Sequence, residues 1–153
     1  MHDDSLFMRL DEAGVGRFKQ WARNNWTPHT PTSESWHPVV RAEWTRLDRE
    51  HADQAARDRR LVAAFESGAY AAAYETEDYH EAVAGLATNG EEAEEYRAAF
   101  TLGFFATYEP YEVPLDDLSA WHAAVGSSAA VRLGELGVHD RCWLVGPVAE
   151  VAP

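Results

Sequence analysis

Three histidines have a carboxylate three residues before them: Glu34 with His37, Asp48 with His51, and Glu77 with His80. On a helix that spacing puts both side chains on one face, and two such pairs plus a Glu from each of two other helices make the di-iron site of carboxylate-bridged bundles. With 26 acids in 153 residues, about one of the seven histidines would have such a neighbour by chance. The excess is small, and Glu34/His37 falls in a proline-rich stretch where helical spacing has no meaning. The metal candidates reduce to Asp48, His51, Glu77 and His80, completed in principle by Glu94 or Glu95, and no cofactor is expected.

Other chemistry finds less support. Cys142 is the only cysteine, so no intrachain disulfide can form and a cysteine-cluster zinc site is ruled out. Cys142 has no evident histidine partner and sits in an apolar run, which predicts an inert thiol. Ser127 and Ser128 follow a glycine and suit a helix cap. Phosphate-loop, dinucleotide and serine-hydrolase signatures are absent. An enzyme is therefore not the expectation.

The informative feature is where the charge lies. The chain carries a formal −13, yet residues 1–74 hold 11 acids against 10 bases and residues 118–153 hold 3 against 2. Residues 75–117 hold 12 acids and one base, Arg97. The acids form three groups: Glu75, Glu77, Asp78 and Glu81; Glu91, Glu92, Glu94 and Glu95; Glu109, Glu112, Asp116 and Asp117. A surface so poorly compensated repels itself unless salt screens it or a basic partner answers it. The expectation is a small acidic accessory or inhibitory protein that offers these twelve carboxylates to a basic protein surface. The narrow form is a nucleic-acid mimic held by a DNA-binding protein, because duplex DNA carries about one charge per 1.7 Å. The opposing expectation is a solvated face that serves only solubility. Direct nucleic-acid binding is not expected, since the bases alternate with acids and no reader motif is present. Two other classes stay open: a metal-dependent helical-bundle enzyme, and a self-assembling component anchored on aromatics such as Trp26, Trp36 and Trp143.

The elements that must position these residues read as helices, in one domain spanning 1–153. Asp11 and Glu12 open a helix through Asn24 with Phe18, Trp21 and Ala22 on its inner face. Residues 26–38 form an aromatic loop around Pro28, Pro31 and Pro38, expected to pack on the core. From Val39 the stripe Val40, Trp44, Leu47 predicts a long helix, self-neutralised by alternating charges. It continues from Leu61 to Tyr74, with a weak point at Ser67-Gly68. Glu77 to Ala87 is a shorter helix stopped by Asn89-Gly90, and Glu91 to Tyr108 a helix whose four leading acids suit the positive end of its dipole. Leu115 to Val125 and Ala129 to Leu136 complete an irregular bundle of four to six helices. Ser5 to Leu10 and Cys142 to Val145 are candidate strands for a small sheet joining the termini. The acidic Met1-His2-Asp3-Asp4 start does not suit a signal peptide, and no stretch approaches 18 apolar residues, so a cytoplasmic protein without membrane contact is expected.

One internal similarity stands out. Phe65-x-x-Gly68-x-Tyr70-Ala71 recurs 35 residues later as Phe100-x-x-Gly103-x-Phe105-Ala106. The period is that of helical-hairpin repeats, but two copies fall short of a solenoid. Two helices that each use glycine for close packing is the simpler expectation.

Overall fold

The computed structural model describes residues 7–139. Among them lie six α-helices: α1 (Glu12–Asn25), α2 (Pro38–Tyr70), α3 (Tyr79–Val83), α4 (Glu91–Phe104), α5 (Leu118–Val125) and α6 (Ser128–Glu135). A π-helical turn, Ala71–Glu75, extends α2, and 3-10 turns occupy Pro110–Glu112 and Leu115–Asp117. The helical bundle agrees with the sequence. The two-stranded sheet does not: Phe7 to Leu10 are not strand, no strand occurs among the described residues, and Cys142 to Val145 lie outside them. No helix among the described residues is long and apolar enough to cross a membrane. Backbone packing divides the chain into two compact units, Met1–Ala56 and Arg57–Pro153, with the boundary inside α2.

In the first unit, the Asp11 carboxylate accepts the Gly14 N–H at 2.7 Å and caps α1, satisfying a donor that the helix start leaves open. Ala22, Val40 and Trp44 are buried, and Phe18, Trp26 and Trp36 pack on them. The proline-rich loop is thereby fixed by its own aromatics, as expected. Trp44 Nε1 donates to the Thr30 carbonyl at 3.2 Å and Trp26 Nε1 to Asp48 Oδ1 at 3.0 Å. Trp21, expected inward, is 46 % exposed, because Ala22 fills the closest approach to α2. Glu43 is buried yet charged: Arg46, then Arg23, hydrogen-bond its carboxylate and hold its pKa down at about 2 against the burial that would raise it.

In the second unit, Leu61, Leu102, Phe104, Phe105, Trp121 and Leu133 are nearly or wholly buried. Ion pairs tie the helices at the margin of this core. Arg132 on α6 binds Asp58 on α2 through two parallel bonds of 2.8 Å, and Arg57 reaches Glu95 on α4 at 3.1 Å. Tyr79 on α3 lies 2.6 Å from the Thr101 hydroxyl, which itself donates to the Arg97 carbonyl at 2.7 Å. Each hydroxyl has one proton, so Tyr79 is the donor in the first bond.

The repeated glycine motif is resolved here. A Cβ on Gly68 would fall against the Phe100 carbonyl, 2.8 Å from its carbon, and a Cβ on Gly103 would fall against the Phe65 carbonyl, 2.7 Å from its carbon. The two glycines do not pack independently. Each makes room for the carbonyl that begins the other's motif, so the helices cross backbone to backbone. Ser67-Gly68 is accordingly no bend: α2 runs through it to Tyr70, and the irregularity comes at the π-turn, where Thr76 N–H reaches back to the Ala71 carbonyl at 3.0 Å. Asn89-Gly90 also differs from expectation. Helix α3 has already ended at Val83, and Gly90, at φ +100°, is the N-cap of α4.

Candidate functional site

Beside the glycine crossing, a cavity of about 310 Å³ lies where the end of α2 and its π-turn meet the end of α4. Ala69, Ala72 and Ala73 line one wall, Gly103, Phe104, Thr107 and Tyr108 the other, and the charged lining residues are two carboxylates, Glu77 and Glu112. Small residues give the cavity its depth. Its charge is of one sign.

The same two segments carry exposed aromatics. Tyr70 and Tyr74 lie on successive turns, 57 % and 77 % exposed, with ring centroids 5.0 Å apart. Four residues apart along this segment, the two rings touch at a tilt of 45° and remain largely open to solvent. Tyr111 is 83 % and Leu115 85 % exposed on the 3-10 turns that follow. Exposed tyrosines beside unpaired carboxylates suit cationic partners, because the ring face attracts cations and the carboxylates fix them.

Of the twelve acids expected to face a partner, seven have internal duties. Asp78 caps α3 through the His80 N–H at 3.0 Å. Glu81 accepts the Thr76 hydroxyl at 3.0 Å. Glu109 and Glu112 form a capping box around the first 3-10 turn. Glu92 pairs with Arg60 at 3.6 Å and Glu95 with Arg57. Asp117 is buried rather than presented, so its place on the expected face is withdrawn: the turn that starts α5 folds it inward. Burial raises its pKa, opposed by His80, whose Nε2 stands 3.0 Å from Oδ1, and reinforced by Asp116 and Asp78. His80 is off the line of a hydrogen bond, and Oδ1 receives none. The acids left without an internal bond among the described residues are Glu75, Glu77, Glu91, Glu94 and Asp116.

The three groups are not equivalent. The 75–81 and 109–117 groups meet at the cavity through Glu77 and Glu112. The 91–95 group starts α4 at its far end, about 18 Å along the axis from Gly103 at 1.5 Å per residue. There Glu94 lines a separate cavity of about 320 Å³ with Arg97, the one base of the acidic segment. The sequence shows the concentration of acid, and the structure shows that the 75–81 and 109–117 groups have no arginine or lysine partner among the described residues.

The metal candidates have other partners. Asp48 holds the Trp26 indole, His51 packs its ring on Trp26 and His29 at centroid distances of 5.3 and 6.3 Å, Glu77 lines the cavity, and His80 faces Asp117. His37, of the third pair, is held through both ring nitrogens by Met8 and Val39. Among the described residues no three His, Cys, Asp or Glu side chains are placed to hold a metal ion. Sequence reasoning did not single out Tyr70, Tyr74 and Tyr111 as surface residues of the site, because a tyrosine's exposure is not marked by its neighbours in sequence.

Comparison with family models, with curated proteins and with solved structures finds no match. The reading of the site therefore rests on its geometry.

Proposed function

We propose that this chain is an accessory binding protein that docks a basic segment of another protein on the face built from residues 70–77 and 107–116. The observation that carries this reading is the cavity itself: its charged lining residues, Glu77 and Glu112, are both acidic, Tyr108 lines it, and Tyr70 and Tyr74 on the segment that forms one wall are exposed. An arginine or lysine side chain entering there would meet carboxylates at the rim, small apolar walls along its methylenes and tyrosine rings beside it. Inhibition of a DNA-binding protein is the narrow form of the same reading, in which the face competes with phosphate for a basic groove.

The test is capture of partners from source-cell lysate by the wild type and by the variant E75Q/E77Q/D116N, at low and high salt. None of these three carboxylates holds a bond among the described residues, so the variant retains the ion pairs described above. A specific protein held by the wild type, released by salt and lost in the variant supports the reading. Identical captures by both versions refute it and leave solubility as the role of the charge. For the narrow form, the captured protein must lose its DNA when this chain is added.

A further inference from the structure

The first unit contains a second concavity whose chemistry is opposite to that of the acidic face. Phe18, Trp21, Trp36 and Val40 form its apolar lining, and its volume is about 480 Å³, within the range of small-molecule sites. The walls are held in place. Trp36 rests on buried Trp44 at 4.8 Å between centroids, Trp21 stands edge-on to Trp36 at 6.0 Å, and Phe18 stands edge-on to His37 at 5.2 Å.

The polar groups around this concavity decide what could fill it. His37 is already committed. Its Nε2 lies 2.7 Å from the Met8 carbonyl and must donate to it, while its Nδ1 accepts the Val39 N–H at 3.1 Å. Both nitrogens are used and the ring is neutral. Arg17, the only charge in the lining, has no ion pair among the described residues. The tryptophans divide likewise. Trp26 and Trp44 spend their indole N–H groups on Asp48 and Thr30, whereas Trp21 and Trp36, which line the concavity, donate to no group among the described residues. Every uncommitted polar group is therefore a donor: one guanidinium and two indole N–H groups. A ligand that satisfies them needs an apolar body for the rings and acceptor oxygens carrying negative charge for Arg17.

We propose that this concavity is a binding site for a small amphipathic organic anion, an aromatic or branched apolar body bearing a carboxylate or sulfonate. The site is independent of the acidic face and does not rest on the partner reading. Its occupant is a free small molecule: the apolar lining offers room for one ring system with a single charge beside it.

The probe is 1-anilinonaphthalene-8-sulfonate, compared with N-phenyl-1-naphthylamine, which has the same rings without the sulfonate. Each is titrated into the full chain, following probe and tryptophan fluorescence. The sulfonate should bind saturably at one site, although a protein of net charge −13 repels anions in general. Arg17→Gln should weaken the sulfonate roughly tenfold, the loss of one charge-assisted contact, and leave the neutral probe unchanged. Trp21→Ala should abolish saturable binding of both, and Tyr74→Ala should change neither. Absence of saturation in the wild type overturns the proposal. So does a Trp21→Ala variant that binds as the wild type does, or an Arg17→Gln variant that weakens both probes equally or neither. Arg17 is exposed and has no ion pair among the described residues, so its variant remains a test even if Trp21→Ala disturbs the loop.

Discussion

Replacing Gly68 by alanine tests the account of the helix crossing, because the two effects involved have opposite signs. In an ordinary helix interior, alanine in place of glycine is favourable by up to about 1 kcal/mol through reduced backbone entropy. At Gly68 the new methyl would sit 2.8 Å from the Phe100 carbonyl carbon and 2.9 Å from the Phe104 nitrogen, where ordinary contact begins at 3.4 Å. The obstacles are main chain in the middle of a helix, so no rotamer change relieves the clash. The helices must separate by more than about 0.6 Å, loosening Phe65, Phe100 and Phe104 around them. Overpacking of this kind costs about 3 kcal/mol at its upper range, and subtracting the propensity gain leaves a destabilisation of about 2 kcal/mol. Gly103→Ala should behave alike, since its methyl meets Phe65 in the same way. One separation relieves both clashes, so the double variant should lose clearly less than the sum of the two single losses. Gly16, on α1 with nothing within 4 Å of its would-be Cβ, is the control, and Gly16→Ala should stabilise by up to about 1 kcal/mol. The assay is urea unfolding followed by far-ultraviolet circular dichroism. A Gly68→Ala variant as stable as the wild type, or a double variant whose loss is the full sum, would refute the reciprocal crossing.

Three further outcomes follow from the charges and hydroxyls. Glu43 titrates at about 2 in the folded chain, below its unfolded value, so its contribution is complete above about pH 4.5 and fades as pH falls toward 2. With both arginines nearly half in water, we expect about 2 kcal/mol after screening; Glu43→Gln should lose that amount at pH 7 and flatten stability against pH across that window. Asp117 is the reverse case. Its raised pKa means that ionisation costs stability as pH climbs past the usual carboxylate range, so Asp117→Asn should raise the melting temperature at pH 7, a gain that vanishes at pH values where the wild-type carboxyl is protonated. Tyr79→Phe removes the hydroxyl that donates to Thr101 and should cost about 1 kcal/mol in the same unfolding assay.

Much of the bundle was already legible in local chemistry. Asp11 before an amphipathic run, acids leading α4, and the Val40–Trp44 stripe each depend on residues within a few positions of one another, and helix periodicity is a short-range rule. The aromatic loop could likewise be assigned to a core, because so much ring surface cannot profitably stay in water. The strand proposed for residues 5–10 failed over its described part, Phe7 to Leu10, because strand pairing is a long-range property that a short apolar run does not determine. Trp21 shows the limit in another way: a helix face tells which residues can be inward, and the partner's shape selects among them.

For the candidate site, the sequence by itself determined that negative charge is concentrated in residues 75–117, that one base accompanies it, and that two segments share a glycine motif. It could not determine which carboxylates remain for a partner. That depends on caps, on Arg57 and Arg60 reaching across from α2, and on the turn that buries Asp117, all consequences of three-dimensional proximity. Nor could it join the motif to the acid. Only the tertiary structure brings Gly68 and Gly103 against each other's helix, where the absence of two side chains lets the backbones touch, and only it places the acidic cavity beside that crossing. Charge is additive along a chain and can be counted from its letters, whereas a cavity is a difference between volumes contributed by residues far apart in sequence, which exists only after the helices have met.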